Sequence, residues 1–175
     1  MTICVTHLIR EKNGLNPFKK FLNSYIKYNA GINHSLLLVF KPKKNNSNIE
    51  IYRNLVRKIN HKFLVIEDKG FDLEAYFLAA SNTNYEFYCF LNSFTIIKCN
   101  DWLIKMYKFI IKPDVGLVGF SASLQSLTPK ISIEKLINFE IKKLKKFPII
   151  FLFPFLRYFF NYFPNPHIRT NGFIV

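Results

Sequence analysis

From Thr2 to Phe120 the chain alternates short apolar runs with stretches whose apolar residues recur every three or four positions. The short runs read as strands and the periodic stretches as helices. Thr2–Leu8 is the first predicted strand, and Arg10–Gly14 is a polar loop. Asn16 and Pro17 have the residue types of a helix N-cap and first turn. Phe18, Phe21, Leu22, Tyr25 and Ile26 then share one helical face, with Gly31 as the stop. Ser35–Phe40 is a second buried strand, followed by a basic, Asn-rich loop, Lys41–Asn48. Ser47 and Glu50 have capping-box spacing ahead of a helix carrying Tyr52, Leu55, Val56 and Ile59.

The pattern then repeats. Phe63–Ile66 is a third strand, and Asp72 is a cap for a helix with Leu73, Tyr76, Phe77 and Ala80 inward. Tyr85–Leu91 is a nearly all-apolar fourth strand that stops at Asn92-Ser93, the composition of a strand buried on both faces. Asn100 caps a helix with Leu103, Met106, Tyr107 and Ile110 inward, which Pro113-Asp114 breaks. Val115–Phe120 is the fifth strand, leading into Ser121-Ala122-Ser123. Such alternation predicts right-handed βαβ units. The expected fold class is α/β, a Rossmann-like, mostly parallel sheet with helices on both faces.

Beyond residue 124 the pattern changes. Ile133, Ile137, Ile141 and Leu144 mark the stripe of a strongly basic helix ending Lys142-Lys143-Leu144-Lys145-Lys146, and an aromatic run, Phe147–Phe163, follows. Pro148, Pro154 and Arg157 interrupt that run, which is too short to span a bilayer. Two readings stand: an interfacial anchor, with cations on headgroups and aromatics at the acyl boundary, or a helical excursion packed on the sheet or on a second subunit. Residues 165–175 read as a loop entering a strand. The expected organisation is one domain over 1–175, with an α/β part at 1–124, a basic and aromatic excursion at 125–164 and a returning strand at 165–175 that is incomplete at Val175.

Composition adds less. The chain of 175 residues carries 25 Lys+Arg against 11 Asp+Glu, a net charge of +14. Such an excess suits nucleic acid, an anionic membrane face or phosphorylated ligands. The abundance of Lys, Asn, Ile, Phe and Tyr fits A+T-rich coding, which accounts for part of it. The cations are spread over loops and the helix near Lys142 rather than gathered among aromatic platforms, so no nucleic-acid partner is expected. Cys4, Cys89 and Cys99 lack metal or redox spacing and fit a reducing compartment.

No Ser-His-Asp order, zinc spacing or phosphate-cradling Gly-rich loop is present. Ligands of open α/β sheets bind outside the carboxyl ends of the strands. Those ends carry His7 and Arg10, Lys41 and Lys43, Asp68 to Asp72, Asn92 and Ser93, and Ser121 and Ser123, with His167 and Arg169 able to return to the same edge. Together they supply carboxylates for a base or ribose, hydroxyls and amides for sugars, and cations for a diphosphate. Polar loop residues are equally the ordinary furniture of an α/β domain, and Asn-Ser is equally an ordinary turn.

The run Asp68-Lys69-Gly70-Phe71-Asp72-Leu73-Glu74-Ala75-Tyr76, then Ala79-Ala80 and Tyr85 to Ser93, resembles the middle of a GT-A-fold glycosyltransferase of the family-two-like or rhamnan-synthesis type. Trp102-Leu103, Val115-Gly116-Leu117-Val118-Gly119 and Asn165 to Asn171 extend the likeness over nearly the whole chain. The resemblance implies a nucleotide-sugar donor and a cell-surface glycan acceptor. It puts Asn92 and Ser93 where the family has its metal-binding Asp-X-Asp. Asp68 and Asp72 fall near the base and ribose, with His7 and Arg10 at the same edge, and His167 and Arg169 face the acceptor or diphosphate. Asn92-Ser93 carries no carboxylate, so a divalent cation lacks its usual ligands, and Arg10 or Arg169 would have to stabilise the leaving diphosphate. The family's general base falls beyond Val175, which implies either a truncated enzyme or a non-catalytic relative. The expected setting is cytoplasmic, peripheral on the inner face of the cell membrane through residues 131–163.

Overall fold

The computed structural model describes residues 2–43, 47–123, 167–168 and 172–175. At 122, 123, 167 and 168 it describes the backbone. The chain divides into two compact units, Met1–Ser121 with Ile168–Val175, and Ala122–His167. In the first unit the elements are β1 (Ile3–Arg10), a 3-10 turn (Glu11–Asn13), α1 (Leu15–Lys27), β2 (Ser35–Lys41), α2 (Ile49–Val56), β3 (Lys62–Val65), α3 (Asp72–Ser81), β4 (Phe87–Leu91), α4 (Trp102–Ile110) and β5 (Val118–Gly119). Three short strands follow: β6 (Ala122–Ser123), β7 (His167–Ile168) and β8 (Gly172–Ile174).

Six strands form one sheet in the order β3-β2-β1-β4-β8-β5, and β6 pairs with β7 separately. β1 runs parallel to β2 and β4, and β2 parallel to β3, while β8 is antiparallel to both β4 and β5. The parallel βαβ arrangement expected from the alternation is present, with one reversed strand. Val175 continues β8, exchanging both backbone hydrogen bonds with Tyr88 at 2.9 and 3.0 Å.

Helices cover both faces because every long strand is apolar at both parities. Ile3, Val5 and Ile9 of β1 point with Leu36, Leu38 and Phe40 toward Phe18, Phe21 and Leu22 of α1, Tyr52 and Val56 of α2, and Trp102, Leu103, Met106 and Ile110 of α4. Cys4 and Leu8 point with Leu37, Val39 and Phe90 to the other face, where α3 buries Ala75, Tyr76 and Ala79. Cys4 and Cys89 are core residues, as read from the sequence, and Cys99 is exposed.

Several expected boundaries and faces shift. β1 continues to Arg10 because it pairs with β2 as far as Arg10 opposite Lys41; the stretch after it is a 3-10 turn rather than open loop. α1 starts at Leu15, so Asn16 is not its cap. Gly14 holds that place at φ 78°, a conformation suited to glycine, and donates its N–H to the Glu11 carbonyl. Ile26 is exposed rather than inward. The Ser47–Glu50 capping box does not form, and Asn48 occupies the N-cap. Asp72 is the first residue of α3 rather than its cap, and the buried face is Ala75, Tyr76 and Ala79, with Leu73 and Phe77 turned to solvent. Asp101, at φ 59°, replaces Asn100 ahead of α4. β5 is only two residues long, not the six of Val115–Phe120.

Residues 124–166, and with them the expected basic helix and aromatic run, lie outside the described residues. Among the described residues no helix is long and apolar enough to cross a membrane.

Candidate functional site

The parallel strands end at staggered heights on one edge. Arg10 ends β1, Lys41 ends β2, Val65 ends β3 and Leu91 ends β4, and β1 overreaches β4 because His7, not Arg10, lies opposite Leu91. The overhang puts a charged cluster at the mouth of the edge. Arg10 Nε donates to Asp68 Oδ1 at 2.8 Å, and Lys12 Nζ lies 2.7 Å from Asp68 Oδ2. Burial pushes the Asp68 carboxyl up, but hydrogen bonds from Lys12 and Arg10 outweigh it and hold the pKa below the usual carboxylate value.

Glu11 is the second anchor. Its carboxylate accepts the backbone N–H groups of Lys43 at 2.7 Å and Asn48 at 2.8 Å, folding the loop after β2 back onto the 3-10 turn. These bonds overcome the opposing effect of burial and lower its pKa. Lys41 is the third. Its side chain is buried, and Nζ donates to the carbonyls of Lys69 at 2.6 Å and Phe71 at 3.4 Å. Three charged side chains thus fasten three strand-end loops together; the sequence placed Lys41 and Asp68 at this edge, Lys41 as a cation for a diphosphate, and did not point to Glu11. A buried lysine behind Ser35–Phe40 leaves no trace in a sequence, since a cation after a strand ordinarily faces water.

The expected site residues divide accordingly. Arg10 and Asp68 meet directly. His7 does not reach the open edge: it is fully buried in the middle of β1, its ring parallel to Phe21 with centroids 3.6 Å apart. Neither ring nitrogen has a hydrogen-bond partner among the described residues, and burial lowers its pKa to about 3. It shares with Arg10 and Ser93 the wall of a cavity of about 10 Å³, room for roughly one water. Asp72 is the first residue of α3, directly after Phe71, whose carbonyl accepts from Lys41. Asn92 closes the turn after β4, its Oδ1 accepting the Phe94 N–H at 3.0 Å and the Thr95 hydroxyl at 3.2 Å. Arg169 lies outside the described residues, and His167 is described as a β7 backbone position.

Beside that turn opens the main cavity of the edge, about 420 Å³, lined by Leu91, Asn92, Phe94, Thr95, Ile96, Ile97, Lys98, Trp102 and Phe120. Its size falls in the range of small-molecule sites. Trp102 and Phe120 rings face each other at 5.9 Å, and the buried Trp102 Nε1 has no hydrogen-bond partner among the described residues. Gly172, opposite Leu91 on β8, keeps this wall open. A Cβ there would fall 2.5 Å from the Phe120 ring. Trp102, the sole tryptophan of the chain, was legible in the sequence as part of a resemblance but not as a pocket wall.

No protein-family model matches the chain, and no curated protein matches it in sequence. Solved structures do. A mannosyltransferase from Pyrobaculum calidifontis, solved with GDP-Man and Mn2+, aligns with a TM-score of 0.54 and 14% identity over 67% of this chain and 34% of that one. The fold is the GT-A glycosyltransferase fold. Mouse xyloside xylosyltransferase 1, in its apo form, shares it with a TM-score of 0.52 and 10% identity over 100% of this chain and 67% of that chain. Residues 1–349 of TarS from S. aureus align too loosely to add weight, with a TM-score of 0.47 and 18% identity over 63% of this chain and 32% of that chain. The GT-A-like chain spans about a third of the length of the mannosyltransferase and of the TarS fragment.

The Mn2+ of the mannosyltransferase raises the question of a cation here. Such ions take oxygen ligands, carboxylates above all. The end of β4 offers Asn92, Ser93 and then Phe94, 65% exposed. Among the described residues no group of three or more His, Cys, Asp or Glu is placed to hold a metal. Glu11 and Asp68 are already committed to the backbone and to Arg10 and Lys12. The described residues do not fit a cation held at the end of β4.

Proposed function

We propose that this GT-A-like chain binds a nucleotide-sugar at the carboxyl edge of its sheet and transfers the sugar to a hydroxyl of a cell-surface glycan. The observation that carries the reading is the 420 Å³ cavity at Asn92, the end of the central strand β4, in a sheet of this topology. Ligands of open α/β sheets gather at that position. In this reading the sugar lies against Trp102 and Phe120, and Lys98, in the same wall, balances the diphosphate charge where a metal would otherwise serve. Arg10 and Lys12 supply further positive charge at the mouth. The protein acts on the inner face of the cell membrane, with residues 131–163 as its surface contact.

A thermal-shift series with UDP- and GDP-sugars, with manganese or with a chelator, tests this. A ligand at one hundred times its dissociation constant stabilises by about 2.7 kcal/mol. The expected result is a shift with one nucleotide-sugar that the chelator leaves intact, that quenches the single tryptophan and that Lys98→Ala weakens. A shift only with metal overturns the cation-free site, and no shift with any nucleotide-sugar overturns the donor reading.

A second reading is a binding module that holds nucleotide-sugar or glycan without transfer. It is favoured by the engagement of Asn92 in its own turn and by the absence of a carboxylate at the end of β4. Release of nucleoside diphosphate by the full-length protein in the presence of a glycan acceptor rules it out.

A further inference from the structure

A second recess lies where α1 hands over to β2, at the amino ends of the strands rather than their carboxyl ends. It measures about 480 Å³ and is walled by the segment from Tyr25 to His34 together with Asn100. Its lining is poor in charge and rich in amides and rings. Lys27 is the one ionised side chain of the lining, and Asn29, Asn33 and Asn100 open into it alongside Tyr28 and the exposed Ile26.

The recess is also built, not a gap between loose loops. The Asn29 N–H donates to Asn100 Oδ1 at 2.9 Å, and the Asp101 N–H donates to the Asn29 carbonyl at 2.8 Å. Leu103 and Ile104 donate their N–H groups to the Ala30 carbonyl at 3.2 and 3.1 Å, so the start of α4 is stitched to the floor. Gly31, at φ 78°, packs so closely there that a Cβ would fall 2.6 Å from Asp101 Oδ1. On the other side Tyr25 bonds His34 Nε2 at 2.7 Å, and His34 Nδ1 bonds the Ile32 carbonyl at 2.9 Å. The Asn29–Asn100 wall and the Tyr25–His34 wall are therefore fixed before a ligand arrives, which lowers the entropy cost of binding. The Oδ1 atoms of Asn29 and Asn100 are engaged within the walls, accepting from the N–H groups of Gly31 and Asn29. Their amino groups, with the amide of Asn33, are left as the polar lining.

We infer that this recess binds a neutral oligosaccharide, as a second subsite for the glycan at the amino end of β2, separated from the donor cavity by the His34–Trp102 ring pair at 6.3 Å. A polyol needs many neutral hydrogen-bonding groups, which the amino groups of Asn29 and Asn100 and the whole carboxamide of Asn33 supply. It also needs an apolar face for its C–H groups, which Tyr28 and Ile26 provide. A nucleotide or polyanion would find a single cation, Lys27, already held 5.2 Å from the centre of the Tyr28 ring. The choice of ligand class rests on the proposed glycan chemistry, and the test separates the two.

Chitotetraose, mannotetraose and xylotetraose are titrated into isotopically labelled full-length protein, and UDP- and GDP-sugars into a parallel sample, with backbone amide shifts as the readout. The expected result is that one tetrasaccharide moves the amides of residues 28, 29, 33 and 100 and leaves residues 92 to 98 in place, while a nucleotide-sugar does the reverse. Asn33→Ala, an exposed change, weakens tetrasaccharide binding about tenfold, the loss of roughly one good hydrogen bond. It leaves the nucleotide-sugar response unchanged. Tetrasaccharide shifts confined to residues 92 to 98, or no shift with any tetrasaccharide, overturn the second subsite. If the nucleotide-sugar response is present in that case, the donor reading survives; if tetrasaccharide binds residues 28 to 33 while no nucleotide-sugar binds, the donor reading alone fails.

Discussion

His7 shows how far a residue's surroundings can depart from its reading in sequence. It lies at an apolar parity of β1, pressed on Phe21, with no partner for either ring nitrogen among the described residues. Its lowered pKa, about 3, means the folded protein holds it neutral while the unfolded chain takes up a proton near 6.5. Stability from this group is therefore complete above about pH 6.5 and is lost as pH falls toward 3, by up to about 1.4 kcal/mol per pH unit. Glu11 and Asp68, both with lowered pKa, add losses only below their unfolded values, near pH 4. Urea unfolding at pH 7 and pH 5 measures the slope. His7→Leu is expected to flatten it between those values and to raise stability at pH 5, since it removes a buried unsatisfied group. A slope unchanged by the substitution would locate the titration elsewhere.

Helix α3 makes the corresponding point for an element. Its apolar residues, Leu73, Tyr76, Phe77 and Ala80 among them, allow several faces, and the sheet takes the one that sets two alanines beside Tyr76, whose ring stacks on Phe90 at 4.6 Å. Ala75 and Ala79 lie fully buried against the sheet while Phe77 stands 73% exposed. Leu37, Val39 and Phe90 form the strand side of that contact. Ala79→Leu is expected to cost about 1–3 kcal/mol through overpacking, whereas Phe77→Ser stays within about 0.5 kcal/mol. Equal costs in denaturant melts would mean the helix sits about one position round from this face. Caps moved for a related reason. Asn16, Ser47 and Asp72 are all good cap residues, yet Gly14, Asn48 and Phe71 hold those places with no side-chain cap bond. The backbone N–H of Asn48 goes to Glu11, 37 residues away, so a distant carboxylate takes over part of the role of the local cap.

At the scale of the molecule, stability should follow position in the sheet. β1 lies between β2 and β4 with both faces covered, whereas β5 is a two-residue strand at the margin. Native-state hydrogen exchange is expected to find the amides of Cys4 to Ile9 opening only with global unfolding, and those of Val118 and Gly119 opening at much lower free energy. Uniform protection across the sheet would contradict that gradient. The sequence by itself determined the order of strands and helices, the parallel core and the burial of Cys4 and Cys89. Those features follow from the local period of apolar residues, which each segment carries within itself. The tertiary structure alone decided that β1 overhangs β4, that Lys41 and Glu11 fasten neighbouring loops, that His7 is sealed from the edge, and that Trp102 and Phe120 wall a cavity. Each of these depends on a partner far along the chain, and local periodicity says nothing about which distant residues will meet.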